Sequence, residues 1–166
     1  DFSYDDEVIC GNTRPKIEGV VGTSLNWKGL SLSLNFRYQL GADVFNEALF
    51  NKVENISTEG LNKNQDKRAL YERWQKAGDI VRFKNIANAA STPMSSRFVQ
   101  EENVLTLESV YLGYEFYDGW IQKLGLSNLK LQVSMRDVFR ASSIKSERGI
   151  SYPFARSLEA GLSFNF

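Results

Sequence analysis

The sequence predicts an all-β chain whose antiparallel strands are interrupted by one long excursion. Three observations predict it. Apolar and polar residues alternate with a two-residue period in five separate stretches. A Lys-Gly pair joins the first two stretches at hairpin spacing. The longest clean run, LSLSLNFRYQL at 30 to 40, contains Leu-Ser repeats that cannot supply a helix's period near 3.6.

GVVGTSLNW at 19 to 27 opens the series, with Val21, Thr23, Leu25 and Trp27 in one file against Val20, Gly22, Ser24 and Asn26. Lys28 and Gly29 separate it from the second run, where Leu30, Leu32, Leu34, Phe36, Tyr38 and Leu40 oppose Ser31, Ser33, Asn35, Arg37 and Gln39. Its length matches the roughly 9–11 residues of a tilted membrane strand. After Gly41 the pattern lapses for more than fifty residues. Within that excursion DKRALYERWQK predicts a short helix ending near Gly78, with Leu70, Tyr71 and Trp74 approaching one face. An insertion of this length implies a working loop, a lid or disorder.

Alternation resumes in VLTLESVYLGYEF at 104 to 116, where the apolar file changes sides; a bulge between Glu108 and Val110 would reconcile the two halves. RFVQE just upstream is a possible sixth strand. YDGWIQKLGLSN has room for a turn of helix before Gly125. LKLQVSMRDV at 129 to 138 then sets Leu129, Leu131, Val133 and Met135 against Lys130, Gln132, Ser134 and Arg136. The final strand, SLEAGLSFNF, carries Leu158, Ala160, Leu162, Phe164 and Phe166 in one file, so the ladder is expected to hold the last residue. Connections run short, long, moderate, long, the rhythm of barrels with short turns on one side and long loops on the other.

Composition narrows the chemistry. Twenty basic residues balance twenty acidic ones, which gives no global reason to expect nucleic acid as a partner. With no histidine, His-based triads and His-containing metal sites are excluded. Cys10 cannot form an internal disulfide and has no neighbour that would activate it. Asp5, Asp6 and Glu7 are consecutive carboxylates, read as an acidic loop tip, since clustering alone supplies neither acid–base geometry nor a cage. No catalytic, metal or cofactor site is expected. No apolar run approaches the roughly 20 residues of a membrane helix, and the acidic start DFSYDDEVICG is unlike a basic leader.

Two readings of the alternation stand side by side. A soluble sheet with one face on its core alternates, and so does the wall of a membrane barrel. Trp27 and Tyr38, near opposite ends of adjacent strands, suit an interfacial girdle or a core equally. Five or six strands fall short of the eight or so in the smallest single-chain transmembrane barrel. The membrane reading therefore requires further strands and predicts open sheet edges in this chain alone.

Several stretches in order resemble the C-terminal end of SusC/RagA-type TonB-dependent outer-membrane transporters of Bacteroidota. Gly11-Asn12-Thr13-Arg14-Pro15-Lys16 followed by Trp27-Lys28-Gly29-Leu30-Ser31-Leu32 is similar to the family's GN-x-x-PK run and aromatic-KG hairpin, with Leu30 where Phe is usual. Arg73-Trp74-Gln75-Lys76-Ala77-Gly78-Asp79 resembles RW-x-x-PGD with Ala77 replacing proline. Arg97-Phe98-Val99 leads to Leu105 through Tyr114 as in the RFVED…YLRLKNVTLGY block, departing at Glu108 and Ser109. Tyr152-Pro153, Arg156 and Gly161-Leu162 with Phe166 resemble the usual terminus.

The resemblance implies that residues 1 to 166 supply the last antiparallel strands of a large transmembrane β-barrel of about 22 strands, incomplete here, with 42 to 95 a long extracellular loop region. It implies active import across the outer membrane of a Gram-negative bacterium, of glycan or peptide, driven by the TonB complex through an N-terminal region that this chain lacks. A SusD-like surface lipoprotein would be the external partner. Leu30, Leu32, Leu34, Phe36, Leu158, Leu162 and Phe164 would face lipid, and Ser31, Asn35, Arg37, Glu159 and Asn165 the lumen. Phe164 and Phe166 would mark the terminal strand for barrel assembly. Tyr71, Arg73 and Trp74 are candidate contacts to partner or cargo, since aromatics and arginine concentrate binding energy when desolvated. The rival is a soluble β-rich binding module that presents the 42-to-95 insertion without transport.

Overall fold

The computed structural model describes residues 3–117, 119–145 and 156–166. Among the described residues five strands form one sheet in chain order: β1 (Ile17–Trp27), β2 (Leu30–Phe45), β3 (Val99–Phe116), β4 (Asn128–Ser142) and β5 (Leu158–Asn165). β1–β2, β3–β4 and β4–β5 pair antiparallel. Hydrogen bonds from the Glu115 amide to the Gly29 carbonyl and from the Asn46 amide to the Phe98 carbonyl, both 2.8 Å, run β2 and β3 in opposite directions as well. β1 and β5 lie at the two ends of this order, and the sheet is not closed.

The first hairpin turns on two residues, with Trp27 paired to Leu30. Lys28 and Gly29 take φ of +46° and +87°, the left-handed geometry that matches the twist of the flanking strands. The Lys28 ammonium sits 5.3 Å from the centre of the Trp27 ring. Both strands outrun their alternating stretches, β1 beginning at Ile17 and β2 continuing to Phe45.

The irregularity expected in the third strand belongs to the fourth. Leu107 pairs with Phe139 and Ser109 with Arg136, so Asp137 and Val138 together oppose Glu108. Asp137 supplies the extra residue's left-handed φ of +50°, a conformation its short side chain tolerates better than most. RFVQE makes no sixth strand: a 3-10 turn at Ser96–Phe98 leads directly into β3. Phe166 is likewise corrected. β5 ends at Asn165, and Phe166 lies beyond the ladder, its ring edge-on to Phe164 at 5.5 Å.

Between β3 and β4 the expected helical turn forms as α3 (Gly119–Lys123; α1 and α2 precede it in the chain and are given below). Gly125 ends it at φ +76°, and the amides of Leu124 and Leu126 both return to the Ile121 carbonyl. Ile121 itself is buried. The motif residues Tyr152 and Pro153 lie outside the described residues.

The chain divides into two compact units. One holds most of the sheet, from Arg14–Ala42, Glu102–Ser143 and β5. The other is built mainly on Asp43–Glu101 and has its own core of Leu49, Val53, Ala69, Phe83 and Phe98, flanked by Phe45, Phe50 and Ile56. Phe45, Phe50 and Phe98 meet edge-to-face with centroids 5.1 to 6.0 Å apart. Asn46 caps α1 (Glu47–Leu49) by accepting the Leu49 amide at 3.0 Å, and a π turn, Phe50–Glu54, follows directly.

The helix expected over DKRALYERWQK is cut to α2 (Arg68–Tyr71). Its would-be continuation pairs with a distant segment instead: the Trp74 amide donates to the Phe83 carbonyl at 3.0 Å, and the Phe83 amide to the Glu72 carbonyl at 3.1 Å. Burial of Phe83 outweighs the helix propensity of the extension over residues 72 to 76. Among the described residues no helix is long and apolar enough to cross a membrane, which says nothing of strands.

Candidate functional site

The sheet has two chemically different faces. Trp27 lies beside Leu30, Leu25 beside Leu32, Thr23 beside Leu34 and Val21 beside Phe36. Across the other strands Val110, Met135 and Leu158 form a row, as do Leu112, Val133 and Ala160, then Tyr114, Leu131 and Leu162, then Phe116, Leu129 and Phe164. The Asn35 amide donates to Ser109 Oγ at 2.9 Å, which sets those two on the opposite face and so joins both halves into one apolar surface. That surface is open: Leu25, Leu131, Leu162 and Phe164 are each 45 to 57% exposed, and Leu158 reaches 69%. An apolar area of this extent marks contact with lipid or with further protein rather than water.

The reverse face is polar. Ser31 lies beside Asn26 and Asn35 beside Gly22. Arg37 is ion-paired with Glu108, Ser109 lies beside Arg136, and Tyr111, Ser134 and Glu159 make a row. Gly161 leaves room for the Gln132 side chain and Gly113 for the Tyr111 ring, whose hydroxyl donates to Gln132 at 3.3 Å. Asn165 sits beside Asn128 at the end of β5. Closer to β3's start the apolar file crosses over, and Leu105 and Leu107 pair with Ala141 and Phe139. The β4 bulge is what allows the switch.

The Asp43–Glu101 unit holds a second feature, an open groove of about 760 Å³. Trp74, Arg82, Lys84, Asn85, Asn88 and Arg97 line it, with Val81 and the edge of Phe83. Buried Phe83 anchors its wall through the pairing with Trp74. Beneath lies Glu54, 2% exposed, which accepts bonds from Arg97 Nη2 at 2.7 Å and the Thr92 hydroxyl at 2.8 Å. Burial pushes the Glu54 carboxyl up, but those bonds, the Arg97 charge and the Lys84 amide together hold it below its usual value.

Of the three loop residues singled out from sequence, the structure brings one to the groove surface. Trp74 lines the groove and is half-exposed. Arg73 is buried, donating through Nη1 to the Lys84 carbonyl at 3.0 Å, while its Nε and Nη2 have no hydrogen-bond partner among the described residues. Burial lowers its affinity for the proton, and the Glu54 charge opposes that shift. Tyr71 is exposed, away from the lining residues, with the Lys67 ammonium 5.9 Å from its ring centre. Sequence reasoning missed Arg82, Lys84, Asn85 and Asn88; the only linear signal was the local RFKN run.

Cys10 is exposed and its thiol donates to the Val8 carbonyl. Among the described residues no group of three or more His, Cys, Asp or Glu side chains is placed to hold a metal ion.

No protein-family model matches the chain. TonB-dependent receptor P39 of Formosa agariphila is 25% identical over 146 residues, a match spanning 84% of this chain. The chain is a distant homologue of TonB-dependent receptors. It spans only 14% of that receptor's length. Its fold is that of part of the RagAB structures: the open-open state of the RagAB peptide importer superposes with a TM-score of 0.69 at 19% identity, covering 88% of this chain and 16% of the other. The closed-closed state gives 0.66 at 20% identity with the same coverage. The match thus covers a small share of each relative, and the sheet that corresponds to it here is unclosed.

Proposed function

We propose that the chain forms part of the wall and the external loops of an outer-membrane importer that takes up a nutrient, glycan or peptide, with energy from the TonB complex. The observation that carries this reading is the broad apolar surface, backed by a polar one, on an open sheet. Leu30, Leu32, Leu34, Phe36, Leu158, Leu162 and Phe164 meet acyl chains, and Ser31, Asn35, Arg37, Glu159 and Asn165 line a hydrated interior. Unpaired strand edges in hydrocarbon cost several kcal/mol per group, so β1 and β5 each join further strands.

In this reading the 42-to-95 region, which folds around its own core, lies at the outer mouth with Tyr71, Arg73 and Trp74 near cargo or a SusD-like lipoprotein. Support comes from distant homology to a TonB-dependent receptor and from the likeness to a two-component peptide importer. The test is uptake by cells of the source bacterium lacking the gene. Loss of uptake of one nutrient class, restored by the gene and abolished by collapsing the proton-motive force, is the expected outcome. Unchanged uptake of every glycan and peptide tried refutes the import role.

A further inference from the structure

The geometry points to the groove between Trp74 and Arg97 as a binding site for acidic peptides, recognised by their side-chain carboxylates. The groove is rich in hydrogen-bond donors and cationic side chains. Asn85 Oδ1 accepts the Ala87 amide at 2.8 Å and Asn88 Oδ1 the Ala90 amide at 3.0 Å, which fixes both side chains and leaves their NH₂ groups to donate. Four backbone carbonyls of the wall each accept one internal hydrogen bond. Arg82's accepts from Arg97 Nη1 at 3.1 Å, Phe83's from the Trp74 amide, Lys84's from Arg73 and Asn85's from the Asn88 amide.

Positive charge is left over. Arg97 is tied to Glu54, but the Lys84 ammonium bonds only neutral oxygens, of Asn55 and Ala90, and the exposed Arg82 guanidinium has no partner among the described residues. Among the described residues no carboxylate lines the groove. A saccharide hydroxyl brings a donor that must share wall oxygens already engaged in internal bonds, whereas a carboxylate is acceptor-only and pairs with an arginine fork in bidentate fashion. The exposed indole of Trp74 and the side chain of Val81 add an apolar surface beside the cations, which suits alternating acidic and aliphatic side chains.

This inference rests on the import reading only for the use made of the peptide; binding is measured without transport, so either can fail alone. The probe is a capped hexapeptide of alternating glutamate and leucine, titrated calorimetrically into the complete gene product purified in detergent, beside its glutamine counterpart and a tetrasaccharide of uronic acid. The glutamate peptide should bind about tenfold tighter than the glutamine peptide, the size expected of one charge-assisted pair, and the margin should shrink at high salt. Arg82→Gln should remove most of that margin without moving the melting temperature, and Trp74→Ala should weaken both peptides. Equal affinity for the two peptides, absence of binding by either, or a margin that survives Arg82→Gln overturns the site. Tighter binding of the uronate than of the glutamate peptide overturns the peptide assignment.

Discussion

Glu54 is an acid in a place where an aliphatic side chain would ordinarily pack, and its neighbours explain why it is tolerated. Arg97 and Thr92 satisfy it, so Glu54→Gln should cost about 1–3 kcal/mol of local stability through the lost charge-assisted bond, read as faster hydrogen exchange of amides between 45 and 101. A pH dependence follows from the same residue together with Asp66, whose carboxyl the Arg68 guanidinium holds well below the usual range. Both carboxyls bind protons less readily folded than unfolded. Their stabilisation is therefore complete above the ordinary carboxylate range of about 4 and is lost as pH falls through the folded values. Exchange protection of the Asp43–Glu101 unit should decline below about pH 4 and stay flat between 6 and 8. On the sheet, Leu34→Arg should cost about 2–4 kcal/mol in lipid while Ser33→Arg is tolerated, measured by urea unfolding of the complete gene product in bilayers; the reverse order refutes the facing of β2.

The strands were legible in the sequence because period-two alternation requires only that one face differ from the other. Residues 19 to 27, 30 to 40 and 129 to 138 all fall inside observed strands, and the Lys-Gly turn forms as its spacing requires. The bulge was visible as a conflict of files, yet alternation within one strand cannot reveal which partner holds the extra residue. Asp137→Val should cost about 1–2 kcal/mol by forcing a β-branched side chain into left-handed backbone, while Asp137→Gly is neutral or mildly stabilising; urea midpoints for the two variants check this. The segment 66 to 76 was misread for a different reason. Its charge pattern and Leu-Ala-Tyr content favour helix, but residues 72 and 74 bond to Phe83, a contact no local window contains.

For the whole molecule the decisive quantity is apolar surface left open to solvent. Held in buffer without detergent, this chain should self-associate through its exposed face and the edges of β1 and β5; light scattering that finds a stable monomer would count against the membrane reading. Detergent should return it to a single species. Deletion of Phe166 from the complete gene product should lower the amount inserted in the outer membrane, assayed by heat-modifiable mobility. The residue lies outside the ladder, so its removal tests a signal rather than a lost strand pairing.

Taken alone, the sequence determined the alternation of the strands and the first turn, both of which depend on neighbours one or two residues away. The wall-or-core question stayed open there, since alternation is identical in both settings. Only the tertiary structure decided that the apolar files line up across the strands into one open surface, and that Arg73 turns inward while Arg82 does not. Strand order and the pairing of Trp74 with Phe83 set those outcomes, and both arise from contacts between segments that no linear pattern records.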